Sequence, residues 1–200
     1  MKRAEICIIG SGSAGFSAAK TAQERGADVI IVEKDPALAG QCILRGCMPA
    51  KAIFHASDVA HEAKTAHEAG IDVPHVHIDA RRILSRERRL VEDFAEDRRK
   101  ELEQFNVVQG EATFTSKRTL AVNGDEINAE RFIVATGSRI VVPPLDGLDD
   151  CGFIIPETAL ARPFSFKSLI VIGAGPVGCE FSQYFARLGV KVTLLQDAPH

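Results

Sequence analysis

One glycine pattern occurs twice in this chain, and it constrains the fold more than any other feature. The two copies of G-x-G-x-x-G consist of Gly10, Gly12 and Gly15 and of Gly173, Gly175 and Gly178. Each copy follows a short apolar run, which predicts a strand, and begins a segment with helical spacing. In such a turn the first glycine permits the tight bend, the second admits a pyrophosphate close to the backbone, and the third lets the helix pack on the strand. The pattern predicts two strand–helix–strand units with parallel strands, each with a phosphate-binding turn.

The residue that ends the second strand of each unit bears on the choice of nucleotide. Glu33 follows Gly15 by eighteen residues, at a position where a carboxylate accepts the ribose hydroxyls. Gln196 occupies the same place after Gly178, and Asp197 follows it. A neutral amide neither favours a free 2′-hydroxyl as strongly as a carboxylate nor pairs with a 2′-phosphate as arginine does. The second turn is therefore compatible with NAD or NADP.

Between the two units the sequence predicts helices first and short strands afterwards. Residues 50–69 show a helical pattern that ends at a glycine. Residues 78–105 hold eight basic and eight acidic residues, and this balance favours a long, solvated amphipathic helix over a nucleic-acid surface. Residues 106–135 contain short apolar runs divided by polar turns, and the Asn-Gly-Asp at 123–125 is typical of a hairpin. Residues 141–150 contain two prolines and a glycine and are expected to form a linker.

The composition is that of a globular chain and argues against several partners. The sequence is 46% hydrophobic and 26% charged, which is enough to fill a core. A formal net charge of −3 gives no reason to expect nucleic acid or an anionic membrane as partner. No apolar stretch reaches the roughly 18 residues that a membrane span requires. The five cysteines are odd in number and scattered, unlike a secreted disulfide framework, so a cytoplasmic location is expected.

Cys42 and Cys47 lie in the segment GQCILRGCMPAK and allow three interpretations. Two metal ligands without a second ligand pair make a poor zinc site, and two unconnected buried thiols need no function. A redox pair has a geometric condition. Cα atoms five residues apart in an ideal helix are separated by about 8.6 Å, whereas a disulfide needs roughly 4.4–6.8 Å. Cys42 would then lie outside regular helix, while Pro49 places Cys47 at a helix N-terminus, where a thiolate is stabilised.

The segment around the two cysteines resembles the redox-active disulfide of the pyridine nucleotide–disulfide oxidoreductases. The cysteine spacing, the preceding Gly46, and the following Pro49 and Lys51 all match. The resemblance extends over the 200 residues and takes in GSGSAG, VIIVEK, QGEATF, ATGSR and GAGPVGCEFSQYFARLGVKVTLL. It implies an α/β fold. Residues 1–148 would form a Rossmann-like FAD-binding domain with a parallel sheet and an antiparallel β-meander, and residues 149–200 would begin a second Rossmann-like NAD(P) domain.

The resemblance also implies roles for single residues. Positions implied to hold FAD are Gly10, Gly12, Gly15, Glu33, Gly40, Thr136 and Gly137, and those implied to hold NAD or NADP are Gly173, Gly175 and Gly178. Cys42 would be the interchange thiol that attacks the substrate, and Cys47 the thiolate that lies against the flavin. Lys51 and Glu180 match a pair near the reactive nitrogen of the flavin. Electrons would pass between NAD(P)H, FAD and the Cys42–Cys47 disulfide, to or from a small-molecule or lipoyl-type disulfide or dithiol.

The resemblance covers only the N-terminal portion of such enzymes. Family members continue through a complete nicotinamide domain and a dimerisation domain, which supplies a His–Glu pair across the dimer interface. The full-length protein is therefore expected to be a homodimer and to be similar to lipoamide dehydrogenase or mercuric reductase. The alternative is a truncated, non-catalytic flavin- and nucleotide-binding module. His200 matches no family motif, and the other histidines fit no metal-binding pattern, so no metal is predicted.

Overall fold

The computed structural model describes residues 2–161 and 163–197. The strands are β1 (Lys2–Ile9), β2 (Val29–Glu33), β3 (Asn106–Gln109), β4 (Ala112–Ser116), β5 (Thr119–Val122), β6 (Asp125–Val134), β7 (Ser168–Ile172) and β8 (Lys191–Leu195). The helices are α1 (Ser13–Glu24), α2 (Gly40–Leu44), α3 (Cys47–Thr65), α4 (Ala80–Leu102), α5 (Leu148–Cys151), α6 (Pro156–Ala161) and α7 (Pro176–Arg187). His200, which received no role, lies outside the described residues.

The chain divides into two compact units. The first consists of the described residues up to Leu44 together with Val91–Val141. The second consists of Arg45–Leu90 and the described residues from Val142 onward. Helix α4 crosses the division, since its first half belongs to the second unit and its second half to the first.

A single six-stranded sheet forms the centre of the first unit. Its strand order is β3-β2-β1-β6-β5-β4. The four strands β3, β2, β1 and β6 run parallel, whereas β5 is antiparallel to β6 and β4 is antiparallel to β5. The predicted α/β fold with a parallel sheet and an antiparallel meander is confirmed, and both parts belong to one sheet. Strand β2, with the sequence VIIVE, is buried at every position, as expected for a parallel strand covered on both faces.

The predicted hairpin joins β5 to β6. Val122 pairs with Asp125, and the two residues between them, Asn123 and Gly124, have φ values of 52° and 88°. Two central residues with positive φ are the requirement of a type I′ turn, which Asn-Gly meets at little cost. The turn returns the chain to the centre of the sheet, where β6 pairs with β1 as far as Val134.

Both faces of this sheet are covered by apolar side chains. Alternate residues of β1 point to opposite faces, so Ile8 packs with Phe16, Leu102 and other residues of α1 and α4. Cys7 packs on the other face with residues of β2, β5 and β6. Helix α1 contacts the sheet mainly through small residues, which let the helix approach the strands closely.

The second unit contains the second predicted strand–helix–strand segment. Strands β7 and β8 are parallel and paired along five residues, and α7 connects them. Residues from four helices and one loop share its core, namely Ala50, Ile53, Leu84, Leu160, Phe181, Tyr184, Phe185 and Val190. Phe185 is 2% exposed, and burial of such a side chain contributes about 1.5–3 kcal/mol.

The two long helices occur where the sequence predicts them. Helix α3 begins at Cys47 and continues into a 3₁₀ turn at Ala66–Ala69, which ends at Gly70 with φ 79°. Helix α4 is slightly shorter than the predicted 78–105 segment. Neither these helices nor any other in residues 2–161 and 163–197 combines the length and apolar content needed to cross a membrane.

Candidate functional site

Two glycines of the first turn are required by the protein itself. Gly10 directly follows β1 with φ 108°, and a Cβ there would lie 2.3 Å from the carbonyl oxygen of Ala135. A Cβ on Gly15 would lie 1.8 Å from the carbonyl oxygen of Gly10. Both contacts are with backbone, so a side chain at Gly10 would collide with the segment after β6, and one at Gly15 would push α1 away from the end of β1. Gly10 and Gly15 therefore have the predicted turn and packing roles.

Gly12 is different, because nothing in the protein demands a glycine there. Its φ of −62° suits any residue, and a Cβ would be 3.7 Å from the Cα of Gly40, an ordinary contact. Gly12 is also the N-cap of α1, and no side chain caps that helix. Uncapped N–H groups beside an open backbone position match the requirements of a pyrophosphate. The residues present fit a dinucleotide.

Gly40 lies against the same turn. It begins α2 with φ 72°, and a Cβ there would lie 2.4 Å from the Cα of Gly12. Thr136 and Gly137 are exposed and follow the end of β6, next to Ala135, which adjoins Gly10. Gly40, Thr136 and Gly137 thus lie in two segments that adjoin the first turn at the carboxyl edge of the sheet, where ligands bind in open α/β folds.

Glu33 holds the first turn in place. Its Oε2 accepts hydrogen bonds from the Ser11 backbone N–H at 2.7 Å and from the Ser11 hydroxyl at 2.8 Å. Its Oε1 accepts one from the N–H of Asp35 at 2.8 Å. Sequence reasoning missed Ser11, which is fully buried and occupies the first variable position of the motif. The sequence signal for this contact is a small polar residue at that position of the motif together with an acidic residue at the end of the next strand.

The second turn repeats the geometry of the first. Gly173 has φ 100°, and a Cβ on Gly178 would lie 1.9 Å from the Gly173 carbonyl oxygen. Gly175 has φ −67° and is the N-cap of α7, which no side chain caps. A Cβ added at Gly175 would meet no neighbouring atom within 4 Å. Gln196 accepts a hydrogen bond at Oε1 from the N–H of Ala174 at 2.7 Å. The second turn thus fits a pyrophosphate by the same test as the first.

The structure corrects the prediction for Cys42. This residue is half-buried in the short helix α2, whereas the geometric condition expected it outside regular helix. Helix α2 ends at Leu44, so Cys42 and Cys47 still do not share one continuous helix. Ile43, the next residue in this short helix, is buried. The disulfide between the two cysteines stays a prediction.

Cys47 begins α3, as Pro49 predicts. It is exposed, Gly46 caps the helix, and no acidic residue lies in the first turn. The partial positive charge of a helix N-terminus favours a thiolate at this position. By contrast, burial raises the pKa of Cys7 to about 11, so that thiol stays protonated and inert at neutral pH.

Lys51 and Glu180 form an ion pair in the second unit. Lys51 lies one turn after Cys47, and its Nζ is 5.5 Å from the centre of the Phe54 ring. A second ion pair joins Asp58 to Arg187, and both pairs connect residues 129 positions apart. A constant offset means that α3 and α7 pack in parallel. The same offset brings the start of α3 level with the start of α7, next to the second glycine turn.

Aromatic packing lies between the two ion pairs. Phe54 of α3 contacts Phe181 and Tyr184 of α7, with ring centroids 5.2 Å and 5.5 Å apart. No group of three metal-ligating side chains converges anywhere in the part of the chain that the structure describes.

Comparison with known proteins places these features in one family. A family model described as pyridine nucleotide-disulphide oxidoreductase matches residues 4–200. Mercuric reductase from Lysinibacillus sphaericus is 33% identical over 195 residues, which are 96% of this chain and 36% of that protein. Dihydrolipoyl dehydrogenase from Bacillus subtilis (strain 168) is 32% identical over 201 residues, covering 96% of this chain and 44% of the relative.

The solved structure of the HOCl-induced flavoprotein disulfide reductase RclA from Escherichia coli is also similar. Its TM-score is 0.79 at 29% identity, covering 96% of this chain and 42% of that chain. This chain spans less than half the length of these three relatives. Members of the matching family bind FAD and NAD(P)H. The match along nearly all of its residues shows that this chain belongs to the pyridine nucleotide–disulfide oxidoreductase family.

Proposed function

We propose that this chain supplies the flavin-binding and cysteine-bearing portion of a FAD-dependent disulfide oxidoreductase. Electrons pass between NAD(P)H, FAD and a Cys42–Cys47 disulfide, to or from a small-molecule or lipoyl-type disulfide or dithiol. Residues 1–148 form the FAD domain in this proposal, and residues 149–200 begin the NAD(P) domain. The complete protein acts as a homodimer.

One observation carries the proposal. Gly12 and Gly175 each lie at the uncapped start of a helix, in ordinary backbone conformation, with room for a side chain. Backbone contacts or a positive φ explain the other glycines of both motifs but not these two. Space kept open beside unpaired N–H groups is what close approach of a pyrophosphate requires.

FAD and NAD(P)H, when bound, supply the two-electron redox chemistry that the side chains lack. The residues of the chain bind, orient and stabilise charge. Cys42 exchanges with the substrate, while the start of α3 favours the thiolate form of Cys47. Glu180 and the Phe54 ring hold the Lys51 ammonium one turn from Cys47, where its positive charge favours the same thiolate.

The substrate within this class has two candidates. Dihydrolipoyl dehydrogenases and mercuric reductases match the chain at nearly equal identity. A lipoyl-type dithiol exchanges with a disulfide directly, whereas a thiophilic metal ion such as Hg(II) binds to the reduced pair as a substrate. A binding module without turnover is the remaining alternative.

Anaerobic reductive titration of the purified chain with FAD tests the proposal. The wild-type protein should bind flavin and consume two reducing equivalents more than Cys42→Ser, because only the wild type has a disulfide to reduce. Cys42→Ser should show a long-wavelength charge-transfer band before any reductant is added, since its Cys47 thiolate can no longer be oxidised to the disulfide. Cys47→Ser should show no such band.

Two results would contradict the proposal. Absence of bound flavin would argue against the first turn as a FAD site. Equal consumption of reductant by wild type and Cys42→Ser would leave flavin binding intact and exclude the disulfide, which is the result expected of a non-catalytic module. Cys151→Ser, an exposed cysteine outside the proposed site, is the matched control and should behave like wild type.

A further inference from the structure

Helix α4 carries its charges unevenly along its length. Residues 81–89 contain five arginines and one acid, and that acid, Glu87, is 8% exposed. All three bases in the second half of the helix, by contrast, form ion pairs with acids of the same helix. The charges that balance over residues 78–105 of the sequence are thus divided into a basic first half and a second half with paired charges.

Four arginines of the first half lie on one exposed face of the helix. Each lies three, four, seven or eight positions from another, which places them on a common face. The members of this arginine face are Arg81, Arg82, Arg86 and Arg89, all of them exposed. None forms an ion pair with a carboxylate among residues 2–161 and 163–197. Arg86 donates a hydrogen bond to the carbonyl oxygen of Ala52 at 3.3 Å and keeps its charge.

The arrangement is unfavourable for the helix by itself. Like charges three or four positions apart destabilise a helix, and Arg86 follows Arg82 by four positions and precedes Arg89 by three. Arg81 and Arg82 lie in the first turn, where the helix dipole favours acids, and that turn contains no acid. Asp79 precedes the helix and accepts hydrogen bonds from the backbone N–H groups of Arg81 and Arg82. Departures from such local rules are typical of surfaces with a function.

We propose that the arginine face docks a short acidic segment of a partner polypeptide. Guanidinium groups bind carboxylates through paired hydrogen bonds, and every basic residue in the first half of α4 is arginine. The seven positions from Arg82 to Arg89 span about 10 Å of helix, which is enough for a few carboxylates. The inference goes beyond the proposed function, because no residue of the arginine face belongs to either glycine turn or to the cysteine pair.

The second half of α4 argues against an extended polyanion as the partner. Glu92, Asp93 and Glu96 are exposed and continue the same face beyond Arg89. A DNA backbone or an anionic membrane carries negative charge over a longer distance and would also meet these carboxylates. A short acidic segment meets the arginines alone. The acids of a second copy of α4 fit less well, because Glu92 and Glu96 already form ion pairs within their own helix.

Fluorescence anisotropy of a short labelled peptide of alternating glutamate and alanine, titrated with the purified chain, tests the inference. Wild type should bind this peptide saturably, and it should bind the glutamine counterpart about tenfold more weakly or less. The arginine variant Arg81→Gln/Arg82→Gln/Arg89→Gln should lose about tenfold or more in affinity for the glutamate peptide, because three of the four positive charges are gone.

A matched control removes three exposed positive charges elsewhere in the chain. It is Lys20→Gln/Lys117→Gln/Arg118→Gln, and it should change the affinity for the peptide less than about twofold. Thermal unfolding of the free chain separates docking from a structural role. The arginine variant should melt no lower than wild type, because glutamine forms helix about as well as arginine and removes repulsion between like charges.

Several results would overturn the inference. Absence of saturable peptide binding by wild type, or equal losses in the two triple variants, would show that the arginine face is no docking site for acidic segments. A lower melting temperature of the arginine variant would show that these arginines stabilise the fold. A DNA duplex or phosphatidylserine vesicles that bind more tightly than the peptide, with the same loss in the arginine variant, would assign the face to an extended polyanion. A wild-type dimer that the arginine variant dissociates would assign it to a second copy.

Discussion

At the residue scale, the glycines of the first motif are present for different physical reasons. Gly10 and Gly15 are needed because backbone atoms occupy the space of a side chain. Gly12 is not needed by the fold. The motif therefore contains two glycines that the fold requires and one that is proposed to serve FAD binding. Substituting them one at a time distinguishes the two roles.

Gly12→Ala and Gly15→Ala should have opposite consequences. Gly12→Ala should change the free energy of unfolding by no more than about 1 kcal/mol, because its φ is ordinary and its Cβ has room, but it should weaken FAD binding at least tenfold. Gly15→Ala should lower the free energy of unfolding by about 1–3 kcal/mol or more through a backbone clash. Denaturant unfolding and flavin fluorescence measure the two effects. Unchanged FAD affinity in Gly12→Ala would contradict the assigned role.

At the element scale, two kinds of contact join α3 and α7. Ion pairs at both ends set the register, and aromatic side chains fill the space between them. Ion pairs between partly exposed groups contribute only about 0–1 kcal/mol. Aromatic burial contributes more, so packing holds the pair together while the charges align it.

Phe185→Ala and Asp58→Ala test this division. Phe185→Ala should lower the free energy of unfolding by about 3–5 kcal/mol, because the side chain is almost fully buried. Asp58→Ala should lower it by less than about 1 kcal/mol, because the Asp58 side chain is 45% exposed. Denaturant titration measures both values. Similar losses in the two variants would show that the ion pair stabilises the helices as much as the aromatic core does.

At the scale of the whole molecule, the two units have unequal sheets. The first has six strands with apolar side chains on both faces. Among the described residues the second has two strands, and Ile170, Ile172 and Leu195 on them are about half exposed or more. A two-stranded sheet is marginal unless other elements cover it. The homodimer and the cytoplasmic location stay predictions at this scale.

Hydrogen exchange should reveal the difference between the sheets. Amides in β7 and β8 should exchange faster than those in β1 and β2, because fewer neighbouring strands and less apolar packing protect them. Mass spectrometry of peptic peptides measures this. Strand β4, at the edge of the larger sheet, is the control for edge position alone. Equal protection of β2 and β7 would contradict the expectation.

The sequence alone determined the features that depend on neighbouring residues. The glycine turns, the helix start at Cys47 and the type I′ turn at Asn123-Gly124 follow from local φ requirements and from proline geometry. The family also followed from motifs that are short and ordered along the chain. These signals are strong because a single backbone conformation limits which residues can occupy the position.

Contacts between residues far apart in the chain depend on how the whole chain folds. Ser11 joins Glu33 across 22 positions, and Lys51 joins Glu180 across 129. Motif resemblance implied the second pair, yet nothing local to either residue indicates its partner. Cys42 lies in a short helix in which Ile43 is buried, and the sequence pattern indicated neither feature. The orientation of the Gln196 amide is likewise set by the N–H of Ala174. Such contacts arise from sheet order and helix packing, so they exist only once the chain has folded.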